Sequence, residues 1–236
     1  PIMGKKGEPV TTYKKPKSSS SVIVNPEESD EFNKPTLGLQ WQWHANYHQF
    51  FGMPTAFGTM RVFTYRQDGG AKNLWNVPNM LLQKTPADCF TATTKLRFTA
   101  KADGQYGGFI MMGLDYSALV VKRVGNEFRL IQITCKSADK GNAQSETLIA
   151  TLRPTAVDKG DYKPAIHEDI YLRMTVNDGM MQFAWSQNGK KFTTCGEPFK
   201  MREGKWIGAK IGFVAADTNP NAGKGWIDAD WIRITK

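Results

Sequence analysis

The sequence contains little cysteine, and this scarcity excludes two classes of small protein. Its three cysteines are Cys89, Cys135 and Cys195. They are odd in number and widely spaced, and no two form a Cys-x-x-Cys pair, so neither a disulfide framework nor a cysteine-based zinc site is expected. The sequence leaves undecided whether two of the three cysteines form one disulfide. A chain of 236 residues can bury roughly 70% of its unfolded surface, and such a core needs no disulfide or metal.

Long apolar runs are also missing. No stretch approaches the roughly 18–20 apolar residues that a membrane-spanning helix requires, so the sequence predicts no membrane span. His44 and His48 are four residues apart, as two zinc ligands on a helix would be, but no glutamate completes the HExxH pattern. Their surroundings indicate a strand end and a loop. We therefore interpret them as loop or interface histidines and predict no metal ligands.

Positive charge is in excess but is not concentrated. The net charge is +9, and the first 17 residues supply +4 of it through five lysines against Glu8. The other residues carry the remaining +5, with no run of five like charges and no nucleic-acid-binding motif. We interpret this charge as solvated surface and predict no nucleic-acid partner.

What the sequence has in quantity is two-residue alternation. Apolar and polar residues alternate over Thr94–Ala102, over Ile170–Val176 and over 181–186, which indicates half-buried strands. Asn177-Asp178-Gly179 and Gln187–Lys190 are typical of tight hairpin turns. No repeat of 20–50 residues is visible. The pattern predicts an all-β sandwich of twelve to fourteen short antiparallel strands, and it disfavours a propeller.

Several segments between Ser29 and Ile234 carry a resemblance to a known family. They are Ser29–Phe32, Leu37–Asn46, Pro78–Lys84, Gly107–Tyr116, Trp206–Phe213 and Gly225–Ile234. Together they resemble the β-sandwich domain that follows the catalytic propeller in family 43 glycoside hydrolases, the β-xylosidases and α-arabinofuranosidases. The resemblance implies a two-sheet antiparallel jelly-roll sandwich of the concanavalin A-like lectin and glucanase fold.

The same resemblance divides the chain into two parts. Residues 1–28 are rich in lysine, serine and proline and offer no apolar face to bury. The chain begins at Pro1 rather than methionine, which indicates an excised fragment. We therefore predict that residues 1–28 are a linker and the tail of a missing catalytic domain, and that residues 29–236 form the accessory sandwich.

The resemblance also implies a function. We expect a noncatalytic C-terminal domain that packs on, and completes, the propeller of a glycosidase acting on xylan or arabinan-type glycans. The partners would be that propeller and an oligo- or polysaccharide, with no cofactor. A secreted, periplasmic or surface location in a bacterium is implied by the enzyme class alone. The alternative is a self-sufficient carbohydrate-binding module for plant cell-wall polysaccharide.

The carboxylates of the chain do not suggest catalysis. Glycoside hydrolysis needs two carboxyl groups about 5–5.5 Å apart for retention or about 6.5–9.5 Å apart for inversion. Neither Glu-x-Asp-x-x-Glu nor Glu-x-Asp-x-Glu occurs, and Asp228-x-Asp230 has no accompanying glutamate. We predict no catalytic residues in this fragment, while the parent protein would be a glycosidase.

An aromatic segment is the strongest candidate for a site. Between Trp41 and Phe57 the chain concentrates rings and imidazoles, namely Trp43, His44, Tyr47, His48, Phe50 and Phe51. Sugars stack their C–H faces on such rings, and exposed aromatic patches mark partner surfaces. Trp41 and Trp43 should share one strand face. Three readings stay open for the segment: core packing, an interface with the propeller, and direct sugar contact.

Other residues are secondary candidates. Tyr106, Tyr116 and Arg123 would line a concave sheet face that binds sugar, with a plain solvated face as the alternative. Asp217, Asn219 and Asn221 resemble a sparse set of oxygen ligands for a structural Ca²⁺, although Pro220 and Gly223 fit a plain turn. Four tryptophans in strand contexts are expected in the core: Trp185, Trp206, Trp226 and Trp231.

Overall fold

The alternating segments of the sequence form the long strands of the protein. The structure is a computed structural model that describes residues 3–14, 17, 25–45, 48, 51–154, 156–158, 165–219 and 224–236. Sixteen strands lie within this part: β1 (Gln42–Trp43), β2 (Gly52–Pro54), β3 (Met60–Phe63), β4 (Tyr65–Arg66), β5 (Leu81–Lys84), β6 (Phe90–Ala100), β7 (Gln105–Met112), β8 (Tyr116–Val124), β9 (Glu127–Cys135), β10 (Ser145–Leu152), β11 (Ala156–Asp158), β12 (Ala165–Asn177), β13 (Met180–Ser186), β14 (Thr193–Lys200), β15 (Lys210–Asp217) and β16 (Trp226–Thr235).

The strands form two sheets, as predicted. The first sheet has the order β1-β5-β15-β7-β8-β9-β10, and the second has the order β14-β13-β12-β6-β16-β3-β2. Neighbours in these orders are antiparallel, while β4 adds a short parallel pairing to β15 and β11 pairs with β12. The strand count exceeds the predicted twelve to fourteen because β1, β2, β4 and β11 are only two or three residues long. An alternation of apolar and polar residues cannot be recognised in segments this short.

The main core lies between the two sheets. Leu96, Phe98 and Ala100 of β6 point into it, as do Ile170 and its alternating neighbours on β12. This confirms the predicted inward faces. At the hairpin between β12 and β13, Asp178 and Gly179 have φ values of 46° and 76°, the positive values that a tight β-turn of this hand requires.

A second apolar cluster covers the other face of the first sheet. Strand β7 is buried along its whole length, because its alternate residues pack into opposite clusters. Phe109 and Met111 lie in the main core, and Ile110 and Met112 lie in the second cluster. Loop residues between β4 and β5 and between β9 and β10 cover this face, among them Leu74, Val77 and Ala138. We call the stretches 67–77 and 136–144 the cap loops. The central strands β7 and β15 of the first sheet are therefore buried on both faces, whereas the edge strand β10 is largely exposed.

The outer face of the second sheet is polar and ion-paired. Arg61 on β3 forms a bidentate pair with Asp228 on β16, with distances of 2.7 and 2.8 Å. Arg97 on β6 pairs in the same way with Asp169 on β12. Opposite charges on adjacent strands stabilise such a face. These two arginines of the outer face therefore have local carboxylate partners.

The tryptophans are only partly where the sequence placed them. Trp185 is half-buried and packs against the main core, as expected. Trp226 and Trp231 lie half-buried on the outer face of the second sheet, under the guanidinium groups of Arg61 and Arg233, so their placement in the core was wrong. Trp206 is 87% exposed in a turn before β15. The residues next to Trp206 form a turn and not a strand, so strand alternation does not direct its side chain toward the core.

The three cysteines form no disulfide with one another. Cys89, Cys135 and Cys195 are all free thiols, which answers the question that the sequence left undecided. The folded domain is closed by a pairing of Asp30 with Ile232 on the last strand. Within the described residues, no helix has the length and apolar character needed to traverse a bilayer.

Candidate functional site

The aromatic segment joins the two sheets at one edge of the sandwich. Strand β1 is the edge strand of the first sheet and β2 is the edge strand of the second. Strand β1 ends at Trp43 and β2 begins at Gly52, so the aromatic segment begins on one sheet and ends on the other. Its position follows from the short edge strands, which leave this side of the sandwich without further β cover.

The two tryptophans that lead into the segment point inward. Trp41 is buried, its ring stacks on Phe213 at a centroid distance of 5.9 Å, and its Nε1 donates to Asp30 Oδ2 at 2.8 Å. Trp43 packs against the main core and meets Phe51 edge-on at 5.7 Å. The prediction that they share one face is confirmed. Trp41 is core, and Trp43 is at the core's margin.

His44 points to the opposite side. Its backbone N–H donates to Met80 O at 2.9 Å, and its Nε2 lies 3.0 Å from Trp75 O. Nδ1 is buried and has no hydrogen-bond partner among the described residues. Burial lowers the pKa of His44, the charge of the nearby Lys210 lowers it further, and the bond to Trp75 opposes both. The imidazole therefore connects β1 to the first cap loop in its neutral form.

The middle of the segment is described only in part. Tyr47 and Phe50 lie outside the described residues. His48 contacts Phe51 with a ring distance of 5.9 Å, and its carbonyl accepts a hydrogen bond from Phe51 N. Phe51 is buried and also meets Tyr65 edge-on at 6.2 Å. His48 and Phe51 thus bring the segment against Tyr65, which the sequence did not single out.

Beyond β2 the chain presents a fully accessible ring. Phe57 is 90% exposed in the turn between β2 and β3. Thr55 and Thr59 close this turn by a hydroxyl contact of 2.8 Å, and Phe57 N donates to Thr55 Oγ1 at 3.2 Å. Gly58 has a φ of 70°, which the reversal needs. Met53 on β2 is also exposed, and we call these two apolar side chains the β2 edge.

Tyr106 and Tyr116 are not a sugar platform. Both side chains have 0% exposure and belong to the second apolar cluster beneath the cap loops. Tyr106 OH donates to Gln67 Oε1 at 2.8 Å, and Tyr116 OH donates to Gln144 Oε1 at 2.6 Å. Burial raises the pKa of both phenols. The two tyrosines do share one sheet face, but loops that the sequence pattern could not place cover it. Arg123, the third candidate, alternates with Val121 on β8, whose side chain lies in the main core, so its predicted place on the tyrosines' face was wrong. Its guanidinium donates to Ala100 O and Gly125 O.

The candidate carboxylates are engaged with protein groups. Asp228 is held by Arg61 and accepts from Trp226 Nε1 at 3.0 Å, and Asp230 accepts from Lys95 at 2.6 Å. Asp217 accepts from Gln105 Nε2 and from the backbone N–H of Asn219. Asn221 lies outside the described residues. No group of three or more His, Cys, Asp or Glu side chains arranged to hold a metal occurs in the part of the chain that the structure describes.

The chain matches one family along nearly its whole length. The model of the β-xylosidase C-terminal concanavalin A-like domain covers residues 29–235. A β-xylosidase from Formosa agariphila is 25% identical over 245 residues, which span 96% of this chain and 38% of that protein. A non-reducing end α-L-arabinofuranosidase from Bacteroides ovatus is 28% identical over 142 residues, 58% of this chain and 26% of its own length. The chain thus spans well under half of these relatives.

Solved structures agree in fold. The xylan β-1,4-xylosidase of Bacillus halodurans superposes with a TM-score of 0.69 at 16% identity, covering 100% of this chain and 46% of that one. A bifunctional GH43-CE protein of Bacteroides eggerthii gives 0.72 at 18% identity, covering 98% and 28%. With two antiparallel sheets and a family match over residues 29–235, the chain belongs to the C-terminal concanavalin A-like domains of family 43 β-xylosidases.

Proposed function

We propose that this chain is the noncatalytic C-terminal domain of a family 43 glycosidase and that its β2 edge packs on the catalytic propeller near the substrate entrance. The observation that carries the proposal is the family match over residues 29–235, in a chain that covers only 38% of a β-xylosidase relative. The remaining length of such a relative is sufficient for a separate catalytic domain. The names of the relatives support a xylan or arabinan-type substrate for the whole protein.

The choice of surface follows from exposure. Phe57 and Met53 are large apolar side chains left in water beside the aromatic segment. We take the exposure of both side chains as the mark of a partner surface. His44, bound to Trp75 O, and Phe51, in contact with Tyr65, anchor the segment from behind. The turn that carries Phe57 is closed by Thr55 and Thr59, so its backbone loses little conformational freedom when it docks.

The alternative of a self-sufficient carbohydrate-binding module on the concave face is disfavoured. Its aromatic platform would have been Tyr106 and Tyr116, and both rings are buried beneath the cap loops. A sugar could reach them only if the loops that bury them moved away.

The test uses the longer protein in which this chain is joined to its catalytic domain. Combined substitution of Phe57→Ala and Met53→Ser should lower both kcat/KM and the thermal midpoint, while leaving the stability of the isolated chain unchanged. The matched control is Leu148→Ser with Met180→Ser, two exposed apolar residues on β10 and β13, toward the opposite edge of each sheet. Unchanged kinetics and midpoint for the β2-edge variant, or for deletion of the whole domain, would overturn the proposal.

A further inference from the structure

The turn that precedes β15 presents apolar side chains to solvent. Trp206 is 87% exposed and Ile207 is 45% exposed, and we call residues 204–208 the Trp206 turn. A Cβ at Gly204 would collide with the carbonyl oxygen of Gly208, so the two ends of this turn lie in close contact. Gly208 has a φ of 79°, in the left-handed region that favours glycine. The backbone of the turn is therefore closed, and its apolar side chains project from it.

Hydrogen bonds fix both ends of the Trp206 turn to the first sheet. Before the turn, Glu203 O accepts from the N–H of Leu114, which lies between β7 and β8, at 2.9 Å. After the turn, Ala209 O accepts from the N–H of Thr85, which directly follows β5, at 3.3 Å. A turn that is anchored at both ends loses little backbone freedom when it binds a partner.

A cleft lies beside the Trp206 turn. It has a volume of about 500 Å³ and is lined by residues from the segments 26–28, 39–42 and 83–86. We call it the β5 cleft. Thr85, whose N–H anchors the turn, is one of its lining residues, so the turn and the cleft share a border. The strand order β1-β5-β15 explains this, because the cleft and the turn lie at the same end of these neighbouring strands.

The β5 cleft offers apolar surface to an incoming side chain. Leu39 is fully exposed at its border, Pro86 lines it, and the buried ring of Trp41 forms part of its inner wall. Gln83 Nε2 donates to Glu28 O at 2.9 Å, which holds the segment 26–28 against β5. Both walls of the cleft are therefore in place before a partner binds.

The border of the β5 cleft carries one excess negative charge. Glu27, Glu28 and Lys84 line it. Glu28 already binds Lys236 at 2.7 Å. Glu27 contacts Lys34 at 3.6 Å, and both of these side chains are more than half exposed. Exposed pairs of this kind contribute little to stability, so Glu27 is the carboxylate that a further cation can approach.

The Trp206 turn carries the opposite charge. Lys205 is exposed next to Trp206 and forms no salt bridge within the part of the chain that the structure describes. The turn therefore combines a large apolar ring with a cation, and the cleft combines an apolar wall with a carboxylate. Each of the two features supplies what the other would bind.

We propose that two copies of this chain associate as a closed pair, in which the Trp206 ring of each copy enters the β5 cleft of the other and Lys205 faces Glu27. Because the turn and the cleft lie side by side, one two-fold rotation makes both contacts at once and leaves neither feature open. Removal of Trp206, Ile207 and Leu39 from water supplies the driving force. Tryptophan is also among the residues that most often dominate the energy of an interface.

The first experiment is sedimentation equilibrium of the 236-residue chain. Its mass should rise from one chain to two as the concentration passes through about 1–100 μM, the weak range expected for a small interface. Trp206→Ser should weaken this association about thirtyfold or more. The matched control is Leu148→Ser, an exposed apolar residue on β10 outside both the turn and the cleft, which should leave the association unchanged.

The second experiment exchanges the charges. Lys205→Glu and Glu27→Lys each place like charges at both contacts of the pair, so each should weaken the association about tenfold or more. An equimolar mixture of the two variants should restore it. In a mixed pair the new carboxylate of one copy faces the new ammonium of the other, and the second contact keeps the original Lys205 and Glu27.

Each contrary outcome overturns the closed pair. These are a chain that stays monomeric at about 100 μM, a mass that grows beyond two chains, an association that Trp206→Ser leaves intact, and a mixture of the charge variants that stays monomeric. All substitutions are at exposed positions, and circular dichroism establishes that each variant is folded. The test uses the chain alone and leaves Phe57 and Met53 unaltered, so its failure and the failure of docking are distinguishable.

Discussion

The Nε2 atom of His44 lies 3.0 Å from the carbonyl oxygen of Trp75, and this bond joins the edge of the first sheet to the first cap loop. Burial lowers the pKa of the His44 imidazole most, and the charge of Lys210 lowers it further. The imidazole is therefore neutral in the folded chain. Lys210 is itself buried, which lowers its pKa, and it forms no salt bridge among the described residues.

The first prediction concerns acid stability. An unfolded chain has a histidine pKa of about 6.5, whereas His44 titrates lower in the folded state, so below that pH the unfolded chain binds the additional proton. The contribution of His44 to stability is complete above about pH 6.5 and decreases as the pH falls toward its folded pKa. Urea unfolding across this window should show a steeper loss for the wild type than for His44→Gln. Equal slopes would contradict the assignment.

The second prediction separates a core tryptophan from an exposed one. Trp41 is buried against Phe213 and Phe32, and its indole N–H is bonded to Asp30. Trp41→Ala should cost about 3–5 kcal/mol of unfolding free energy through the cavity that it leaves. Trp206→Ala, at an exposed turn, should change it by about 0.5 kcal/mol or less. Denaturant titration measures both, and similar costs would show that Trp41 does not pack as described.

The third prediction compares two ion pairs. Asp228 binds Arg61 through both oxygens and also accepts from Trp226, and this pair is largely shielded from water. Asp228→Asn should therefore cost about 1.5–3 kcal/mol, the range for hydrogen bonds to charged groups. Glu31 pairs with Arg233 at an exposed position, so Glu31→Gln should cost about 0–1 kcal/mol. A larger loss for Glu31→Gln than for Asp228→Asn would reverse the expected order.

The fourth prediction concerns a close approach between strands. A Cβ at Gly212 would collide with the backbone carbonyl oxygen of Leu81 on the neighbouring strand β5, and no side chain there can move aside. Gly212→Ala should destabilise the domain by about 2–3 kcal/mol through forced strand separation. Gly70→Ala meets open space and serves as the control. Equal thermal midpoints for the two variants would refute the proposed contact.

The fifth prediction uses the free thiols. Cys89 is exposed, whereas Cys135 and Cys195 are buried, and burial raises the pKa of Cys195 to about 11. The reactive species is the thiolate, so a thiol reagent at pH 8 should modify one cysteine in the native chain and three in urea. Mass spectrometry should locate the native label at Cys89. Rapid labelling of Cys195 in the native chain would contradict its burial.

Much of the fold follows from local pattern. Long strands such as β6 and β12 were predictable because alternation over seven or more residues assigns each side chain to the core or to solvent. The hairpin at Asp178-Gly179 was predictable because few residues tolerate positive φ. The short edge strands were not, and Trp206 was misplaced, because these segments are too brief or too irregular for a period to form.

The sequence by itself determined the fold class, the hairpin turns and the aromatic character of the segment from Trp41 to Phe57. Only the tertiary structure decided which of these rings face solvent, since alternation describes two faces of a strand but not what packs against each. Tyr106 and Tyr116 show this most clearly, because cap loops distant in sequence bury a face that would otherwise be open. The juxtaposition of Glu27, Leu39 and Pro86 around one cleft likewise required chain segments that meet only in three dimensions.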